Sequence, residues 1–399
     1  MIPTYRPCTD EREVEAIREV LRSGWLGMGA VTERFEQRVA QFIGVRHVVA
    51  VNSGTAALHL ALECAGIGKG DEVIVPSFTF PGSIQAIVLC GATPVFAEIQ
   101  ADDLTIDTAH LEELVTPRTR AVMPVHFGGT ACDMDRIHCF AAGHDLRIVE
   151  DAAHAFGSTY GKRRIGSFGD VACFSFDPIK NITCGGGGAL ATSNGQLAEQ
   201  ARIKRELGIN RSSWRRNLDT HNRRYDVVTS GYRYHMSDIN AAIGIVQLDR
   251  FDEFRARKAA IARQYDAAFA DVRGLRIVQR DLGEAFAFGY FVRVMEGQRN
   301  ALAEHLADSG IATRVQFTPS HLHSAFGGKS VNLPITEQVY SEILTLPLYC
   351  QMTEKDVEAI IATVLRFFRS GRKIAERPTG EARRRRRIPR DTISSEERG

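Results

Sequence analysis

The sequence lacks three features that would each point to a particular class of protein. None of its eight cysteines forms a C-x-x-C pair, so we expect reduced thiols and no metal site. No apolar run approaches the roughly 20 residues that a membrane-spanning helix needs. Residues 1–10 have neither the basic start nor the apolar stretch of a secretory signal. These absences predict a cytoplasmic protein that binds neither a metal nor a membrane.

Neither sign of charge dominates, because 50 lysines and arginines stand against 48 acidic residues. We therefore do not expect nucleic acid as a partner of the folded part of the chain. The end of the chain differs, with Arg383–Arg387 in one run and almost no large apolar side chains around it. This composition predicts disorder, and a solvated tail and a tail that contacts an anionic partner both fit it.

Short apolar runs alternate with helical stretches between His47 and Leu190. Such alternation predicts an α/β fold of three layers, in which a large and mostly parallel sheet lies between helices. A helical pattern from about Ser237 to Phe269 leads into a mixture of strands and helices, which predicts a smaller α+β unit. We predict a large domain over residues 1–245, a small C-terminal domain over 246–370 and a disordered tail over 371–399.

Polar residues follow several of the predicted strands, where ligands of parallel sheets collect. After the run that ends at Val51, the turn Ser53-Gly54-Thr55 leads straight into a helix. Gly54 would let the backbone approach an anion, and the first N–H groups of the helix would favour phosphate. An ordinary helix cap would have the same local sequence.

A second strand, from Arg147, ends in Glu150 and Asp151. Because strand side chains alternate, these carboxylates should point to opposite faces, and Asp151 lies nearer the ligand edge. A carboxylate there could hold a heterocyclic nitrogen protonated, whereas a helix cap or an ion pair is the structural alternative.

A third strand is followed by Ser175 and Lys180, and then by Gly185–Gly188. Burial would lower the pKa of such a lysine and make its amine nucleophilic, and the glycines would leave room for a bulky group. A lysine, a carboxylate and an anion cradle together are what pyridoxal phosphate (PLP) requires of a protein.

The order of these segments resembles that of the DegT/StrS-type sugar aminotransferases, which have the aspartate aminotransferase fold. The resemblance covers about residues 2 to 368 and is carried by SGTAALHLAL, GDEVIVPSFTF, GATPVF, MPVHFGG, VEDAAHAFGS, GSFGDVACFSFDPIKN and GYRYHMSDINAAIG. It implies transfer of an amino group from an amino acid, glutamate in the family, to a nucleotide-linked keto sugar. It also implies a homodimer with shared active sites.

The resemblance assigns a cofactor role to matching positions. Lys180 should hold PLP as a Schiff base and act as the catalytic base, and Asp151 should pair with the pyridine nitrogen. Phosphate contacts should come from Gly54, Thr55, Ser175 and, from the partner subunit, His235. Phe80 should stack on the ring, with Phe78 as the alternative, and His154 should lie beside the ring hydroxyl.

Substrate contacts follow less directly from the resemblance. It points to His321, Tyr232 and Arg215, the last in a basic segment over residues 211–224 that matches a loop over the site. Trp214 or Tyr225 could stack on a nucleotide base, although a solvated surface loop is the plain alternative.

Two positions depart from the family pattern, namely Gly186, where relatives often have an acid, and Gln316, where they have a histidine. Two other functions are compatible with parts of this pattern. A sugar dehydratase of this fold would have histidine in place of Lys180, so the lysine argues against it. A PLP-binding regulator without turnover would keep Lys180 and could use the arginine-rich tail.

Overall fold

The computed structural model describes residues 1–219, 224–326 and 331–369. The predicted tail over 371–399, with Arg383–Arg387, lies outside these residues, as do residues 220–223 of the basic segment. The strands are β1 His47–Val51, β2 Glu72–Pro76, β3 Thr93–Ala97, β4 Thr119–Val122, β5 Arg147–Asp151, β6 Thr159–Tyr160, β7 Arg163–Arg164, β8 Val171–Ser175, β9 Gly188–Thr192, β10 Leu275–Ile277, β11 Tyr290–Val294 and β12 Ile343–Leu346.

The helices lie between and around these strands. They are α1 Glu11–Ser23, α2 Ala30–Ile43, α3 Gly54–Cys64, α4 Pro81–Leu89, α5 Leu111–Leu114, α6 Met134–Gly143, α7 Gly195–Lys204, α8 Ser213–Leu218, α9 Asp238–Asp249, α10 Phe251–Phe269, α11 Arg299–Asp308, α12 Pro334–Glu342 and α13 Glu354–Arg369. No helix of the described part of the chain is long and apolar enough to cross a membrane.

The large sheet has seven strands in the order β1-β9-β8-β5-β4-β2-β3. All neighbours are parallel except at β9, which runs antiparallel to both β1 and β8. The carboxyl ends of the parallel strands therefore meet at one edge, where β9 begins with the glycines that follow Lys180.

Helices cover both faces of this sheet because its strands are apolar on both sides. In β1, Val49 and Val51 pack with α3 and α4, whereas Val48 and Ala50 pack with α2 and α9. Burying one such valine contributes about 1.5–3 kcal/mol. The predicted α/β fold with three layers and a mostly parallel sheet is confirmed.

Local signals set both ends of α1. Asp10 caps α1 through a capping box with Glu13, and Gly24 ends the helix with a φ of 73°. The long helical pattern after Ser237 is two helices, α9 and α10, which meet at Arg250.

The C-terminal part of the chain forms a second, antiparallel sheet of β10, β11 and β12. The start of the chain joins this part: Ile2 pairs with Ile311, and the N–H of Leu348 donates to the carbonyl of Thr4. The prediction assigns the start of the chain to the large domain, whereas the structure joins it to the C-terminal part. The predicted boundary after residue 245 falls inside α9. The domain division remains a prediction.

Candidate active site

A cavity of about 540 Å³ lies at the edge where the parallel strands end. Apart from His235, every residue predicted to contact the cofactor lines it. These residues are Gly54, Thr55, Phe80, Asp151, His154, Ser175 and Lys180. The fold thus gathers side chains that are up to 126 positions apart in the sequence.

One end of the cavity is the first turn of α3, which begins at Gly54 after the cap Ser53. The hydroxyl of Ser53 accepts from the N–H of Ala56 at 3.1 Å, whereas the first N–H groups of a helix have no acceptor within it. A Cβ on Gly54 would lie 2.9 Å from the Cβ of Ser175. The missing side chain therefore lets the helix start lie close to Ser175, and the exposed N–H groups suit a phosphate.

The carboxylate of Asp151 is fixed at the end of β5. It accepts from the hydroxyl of Ser83 at 2.6 Å and from the N–H of Ala153 at 3.1 Å. On the other face of the strand, Glu150 lies 3.1 Å from Nε2 of His126. The predicted alternation is confirmed, and only Asp151 lines the cavity.

The amine of Lys180 lies in the same cavity, with Nζ 4.7 Å from the centroid of the Phe288 ring. Burial lowers the pKa of this amine to about 8, although the charges of Asp151 and Asp177 act in the opposite direction. The amine therefore loses its proton more easily than an exposed lysine does, as a nucleophile requires.

His154 lines the same cavity as Lys180. Its ring stacks on Phe288 with centroids 4.1 Å apart and an interplanar angle of 6°. Burial, and next the charge of Lys180, hold the pKa of His154 well below its usual value. Its Nδ1 is shielded from solvent and has no partner within the described residues, so a neutral imidazole presents one unused polar atom.

The structure separates the two candidates for the ring-stacking position. Phe80 has 57% of its surface exposed and lines the cavity, whereas Phe78 has 1% exposed and packs against Phe127 at 5.3 Å. Only Phe80 can therefore reach a bound ring without moving the core.

Two residues predicted to contact substrate are engaged away from the cavity. His321 is buried, and its Nδ1 lies 2.6 Å from the hydroxyl of Ser77. The hydroxyl of Tyr232 donates to Glu63 at 2.7 Å. Neither side chain lines the Lys180 cavity of its own chain.

Arg215 and Trp214 lie beside a different cavity, of about 560 Å³. The guanidinium of Arg215 is 3.6 Å from Glu33, and Trp214 contacts Trp25 with ring centroids 5.0 Å apart. Tyr225, directly after the segment, is exposed. The described residues of the segment, 211–219 and 224, do not line the Lys180 cavity of their own chain.

His235 also lies outside the cavity of its own chain. Its backbone pairs with Val51, the last residue of β1, and the side chain is half-buried. Burial is the first cause that lowers the pKa of this histidine.

The two departures from the family pattern both line the cavity. A Cβ on Gly186 would meet no atom within 4 Å, so no neighbouring backbone or side chain requires glycine there. Gln316 is held through its Oε1, which accepts from the hydroxyl of Tyr5 at 2.5 Å.

Sequence reasoning missed several residues that shape the site, namely Ser83, Asn181, Lys258, Phe288 and Arg314. Asn181 accepts from the buried ammonium of Lys258 at 3.1 Å. Asn181 directly follows Lys180, which is the one local signal that could have indicated a role for it. The others carry no motif and reach the site only through packing.

These groups fit PLP. The first turn of α3 can hold the phosphate, Asp151 can hold the pyridine nitrogen protonated, and the Lys180 amine can bind the aldehyde carbon. The imidazole of His154 lines the same cavity, where it can bond the ring hydroxyl.

Comparison with known proteins gives the same family along nearly the whole chain. The model of the DegT/DnrJ/EryC1/StrS aminotransferase family matches residues 7–365. The spore coat polysaccharide biosynthesis protein SpsC of Bacillus subtilis (strain 168) is 41% identical over 374 residues, covering 91% of this chain and 96% of SpsC.

Solved structures agree with this match. The aminotransferase TlmJ from Streptoalloteichus hindustanus has a TM-score of 0.86 and 36% identity, covering 93% of this chain and 99% of TlmJ. The Spr1654 protein of Streptococcus pneumoniae, in its PMP form, has a TM-score of 0.87 and 31% identity, covering 93% and 100%. A PLP form of Spr1654 is also similar. The chain therefore belongs to the DegT/DnrJ/EryC1/StrS aminotransferase family, and its cofactor is pyridoxal phosphate.

Proposed function

We propose that this chain transfers the amino group of glutamate to a nucleotide-linked keto sugar in the cytoplasm, as a step of amino-sugar biosynthesis. The observation that carries the proposal is the cavity that holds Lys180, Asp151 and the first turn of α3 together. Its volume of about 540 Å³ lies within the range of small-molecule sites, roughly 300–1,000 Å³. The similarity to a protein of polysaccharide biosynthesis supports a sugar as the acceptor.

Each residue has a proposed part in this reaction. Bound PLP supplies an electron sink that stabilises negative charge at the carbon bearing the amino group. Gly54, Thr55 and Ser175 bind its phosphate, and Asp151 holds a proton on its ring nitrogen. Nζ of Lys180 binds the cofactor between turnovers and moves the proton at the donor's α-carbon.

The aromatic and imidazole side chains orient the ring in this scheme. Phe80 packs on its exposed face, and neutral His154 bonds the ring hydroxyl. Both contacts exclude water from the reacting carbon, which strengthens the effect of the Asp151 charge.

We further propose that two copies of the chain share their sites. His235 would reach the phosphate in the partner subunit's cavity, and Tyr232 and Arg215 would contact the sugar nucleotide there, with Trp214 or Tyr225 on the base. This arrangement accounts for side chains that lie outside the cavity of their own chain.

The test is amination of a panel of UDP-, dTDP- and GDP-linked 4-keto sugars by the full-length PLP-loaded protein with glutamate, followed by mass spectrometry. We expect one amino sugar and an equal amount of 2-oxoglutarate. The Lys180→Ala variant should form neither beyond the background reaction, and sustained turnover by it would overturn the role of Lys180. Bound PLP without amination of any sugar would favour the non-catalytic regulator instead.

A further inference from the structure

Arg314 lies in the cavity of Lys180 without an ionic partner. It is exposed and lines the cavity, and no carboxylate within residues 1–219, 224–326 and 331–369 pairs with its guanidinium. Its backbone is fixed by two hydrogen bonds with Thr345 of β12, at 2.7 and 3.2 Å. A cation on fixed backbone that lines a cavity is typical of a site for an anionic ligand.

The guanidinium lies beside the ring of Tyr5, with its central carbon 5.8 Å from the ring centroid. Tyr5 in turn stacks on Phe288 at 5.1 Å, and the same Phe288 ring lies 4.7 Å from Nζ of Lys180. Two aromatic rings thus separate the cation from the reactive amine. Arg314 and Lys180 also line the same cavity, so a small molecule bound there can contact both.

Gln316 adds a second donor next to Arg314. Its Oε1 accepts from the hydroxyls of Tyr5 at 2.5 Å and Thr345 at 3.3 Å. In the described part of the chain its Nε2 has no acceptor, yet it is not among the polar atoms that are sealed from solvent. Because Gln316 lines the cavity, its amide N–H groups face the same space as the Arg314 guanidinium.

The two carboxylates that line the cavity already accept hydrogen bonds. Asp151 accepts from Ser83 and Ala153, and Asp177 accepts from the N–H of Ile179. One arginine fork with one neutral amide matches a single planar carboxylate, since the fork pairs with both of its oxygens. A diphosphate carries more charge than this pair can balance, and in a sugar nucleotide it lies across the sugar ring from the reacting carbonyl.

We propose that Arg314, assisted by Gln316, binds a carboxylate of the amino donor and so selects an acidic amino acid for the first half of the reaction. This inference rests on the proposed transfer from an amino acid. It assigns Tyr5 a positioning role, because its ring lies against Arg314 and its hydroxyl holds Gln316.

The test is the donor half-reaction, which needs no sugar. PLP-loaded protein is mixed with glutamate, and conversion of the cofactor to its amine form is followed by absorbance. We expect Arg314→Gln to lower kcat/KM for glutamate about tenfold to a hundredfold, mainly through KM. Arg314→Lys should recover part of the loss. Arg276→Gln removes an exposed arginine of β10 outside the cavity and should have no effect.

Two further measurements distinguish positioning from general damage. Tyr5→Phe keeps the ring and removes the hydroxyl, so we expect a smaller rise in KM and an unchanged kcat. Glutarate, which has two carboxylates and no amine, should bind the holoenzyme more weakly in Arg314→Gln by calorimetry, while UDP, dTDP and GDP should bind as they do to the unaltered protein.

The outcomes separate this inference from the proposed function. An unchanged donor half-reaction in Arg314→Gln, or lost binding of nucleoside diphosphates with glutamate kinetics intact, would overturn it. A normal donor half-reaction without amination of any sugar would contradict only the proposal that the acceptor is a nucleotide-linked keto sugar. If the unaltered holoenzyme reacted with none of glutamate, glutamine, aspartate and alanine, the inference and the proposed donor would fall together.

Discussion

The ammonium of Lys258 donates a hydrogen bond of 3.1 Å to Oδ1 of Asn181, the residue directly after Lys180. Lys258 also donates to the carbonyl of Phe288 at 3.1 Å, and the amide of Asn181 donates to the carbonyl of Phe286 at 3.0 Å. The residue after Lys180 is therefore held to residues 286–288, and this segment includes the Phe288 ring that lies near the Lys180 amine.

Lys258→Met should slow the donor half-reaction at saturating glutamate about tenfold, with KM little changed. The variant removes one bond that fixes Asn181, so the adjacent Lys180 loses its exact position without any change in the donor's own contacts. Single-turnover absorbance measures this rate. Lys355→Met, on the exposed side of α13, is the control, and equal rates for both variants would show that the Lys258 contact does not position the amine.

Phe78 and Phe80 provide a matched pair that separates stability from cofactor binding. Phe78→Ala should lower the free energy of unfolding by about 3–5 kcal/mol, because it leaves a cavity in the core. Phe80→Ala should change stability by less than about 1 kcal/mol but weaken PLP binding. Urea unfolding of the apoproteins and titration with PLP test both effects, and a PLP affinity that falls only in Phe78→Ala would reverse the assignment.

Ser83→Ala should weaken PLP binding roughly tenfold to a hundredfold, since a hydrogen bond to a charged group is worth about 1.5–3 kcal/mol. The hydroxyl of Ser83 donates to Asp151 at 2.6 Å, and without it the carboxylate is less well fixed under the ring nitrogen. Titration of the apoprotein with PLP gives the affinity. Ser341→Ala, an exposed serine of α12, should leave it unaltered, and an unaffected Ser83→Ala would mean that Ala153 alone fixes the carboxylate.

The shared location of the residues proposed to bind the cofactor was predictable, because each follows a strong local signal. Asp151 and Lys180 come at or just after buried apolar strands, and Gly54 lies between a strand and a helix. The pattern of apolar residues and the positions of these three residues after it therefore indicate the same edge of the sheet. The antiparallel direction of β9 was not predicted, because an apolar strand has the same pattern in both directions.

The supporting residues could not be predicted for a different reason. Ser83, Lys258 and Arg314 are distant in sequence from the residues that they support, and none lies in a recognisable motif. Their roles depend on how α4, α10 and the C-terminal sheet pack around the cavity. An arginine or lysine is usually a solvated surface residue. Only the structure shows that Arg314 lines the cavity of Lys180 and that Lys258 contacts the residue next to Lys180.

The reactive amine should reduce the stability of the apoprotein. Burial lowers the pKa of Lys180 from 10.5 to about 8, so folding at about pH 7 buries an ammonium that water would stabilise better. Lys180→Met removes this charge and keeps apolar contact with Phe288. We expect the apo variant to be more stable than the unaltered apoprotein by on the order of 1–3 kcal/mol at about pH 7.

The pH dependence of this difference identifies its cause. Between the folded pKa of about 8 and the unfolded value of 10.5, the unfolded chain binds more protons at Lys180 than the folded chain does. The stability of the unaltered apoprotein therefore rises relative to that of Lys180→Met through this window, and the gap closes toward its upper end. Denaturant unfolding of both proteins across this range gives the gap. If Lys180→Met were the less stable protein near neutral pH, or if the difference in stability did not change with pH, the buried amine would not be the cause of the lower stability.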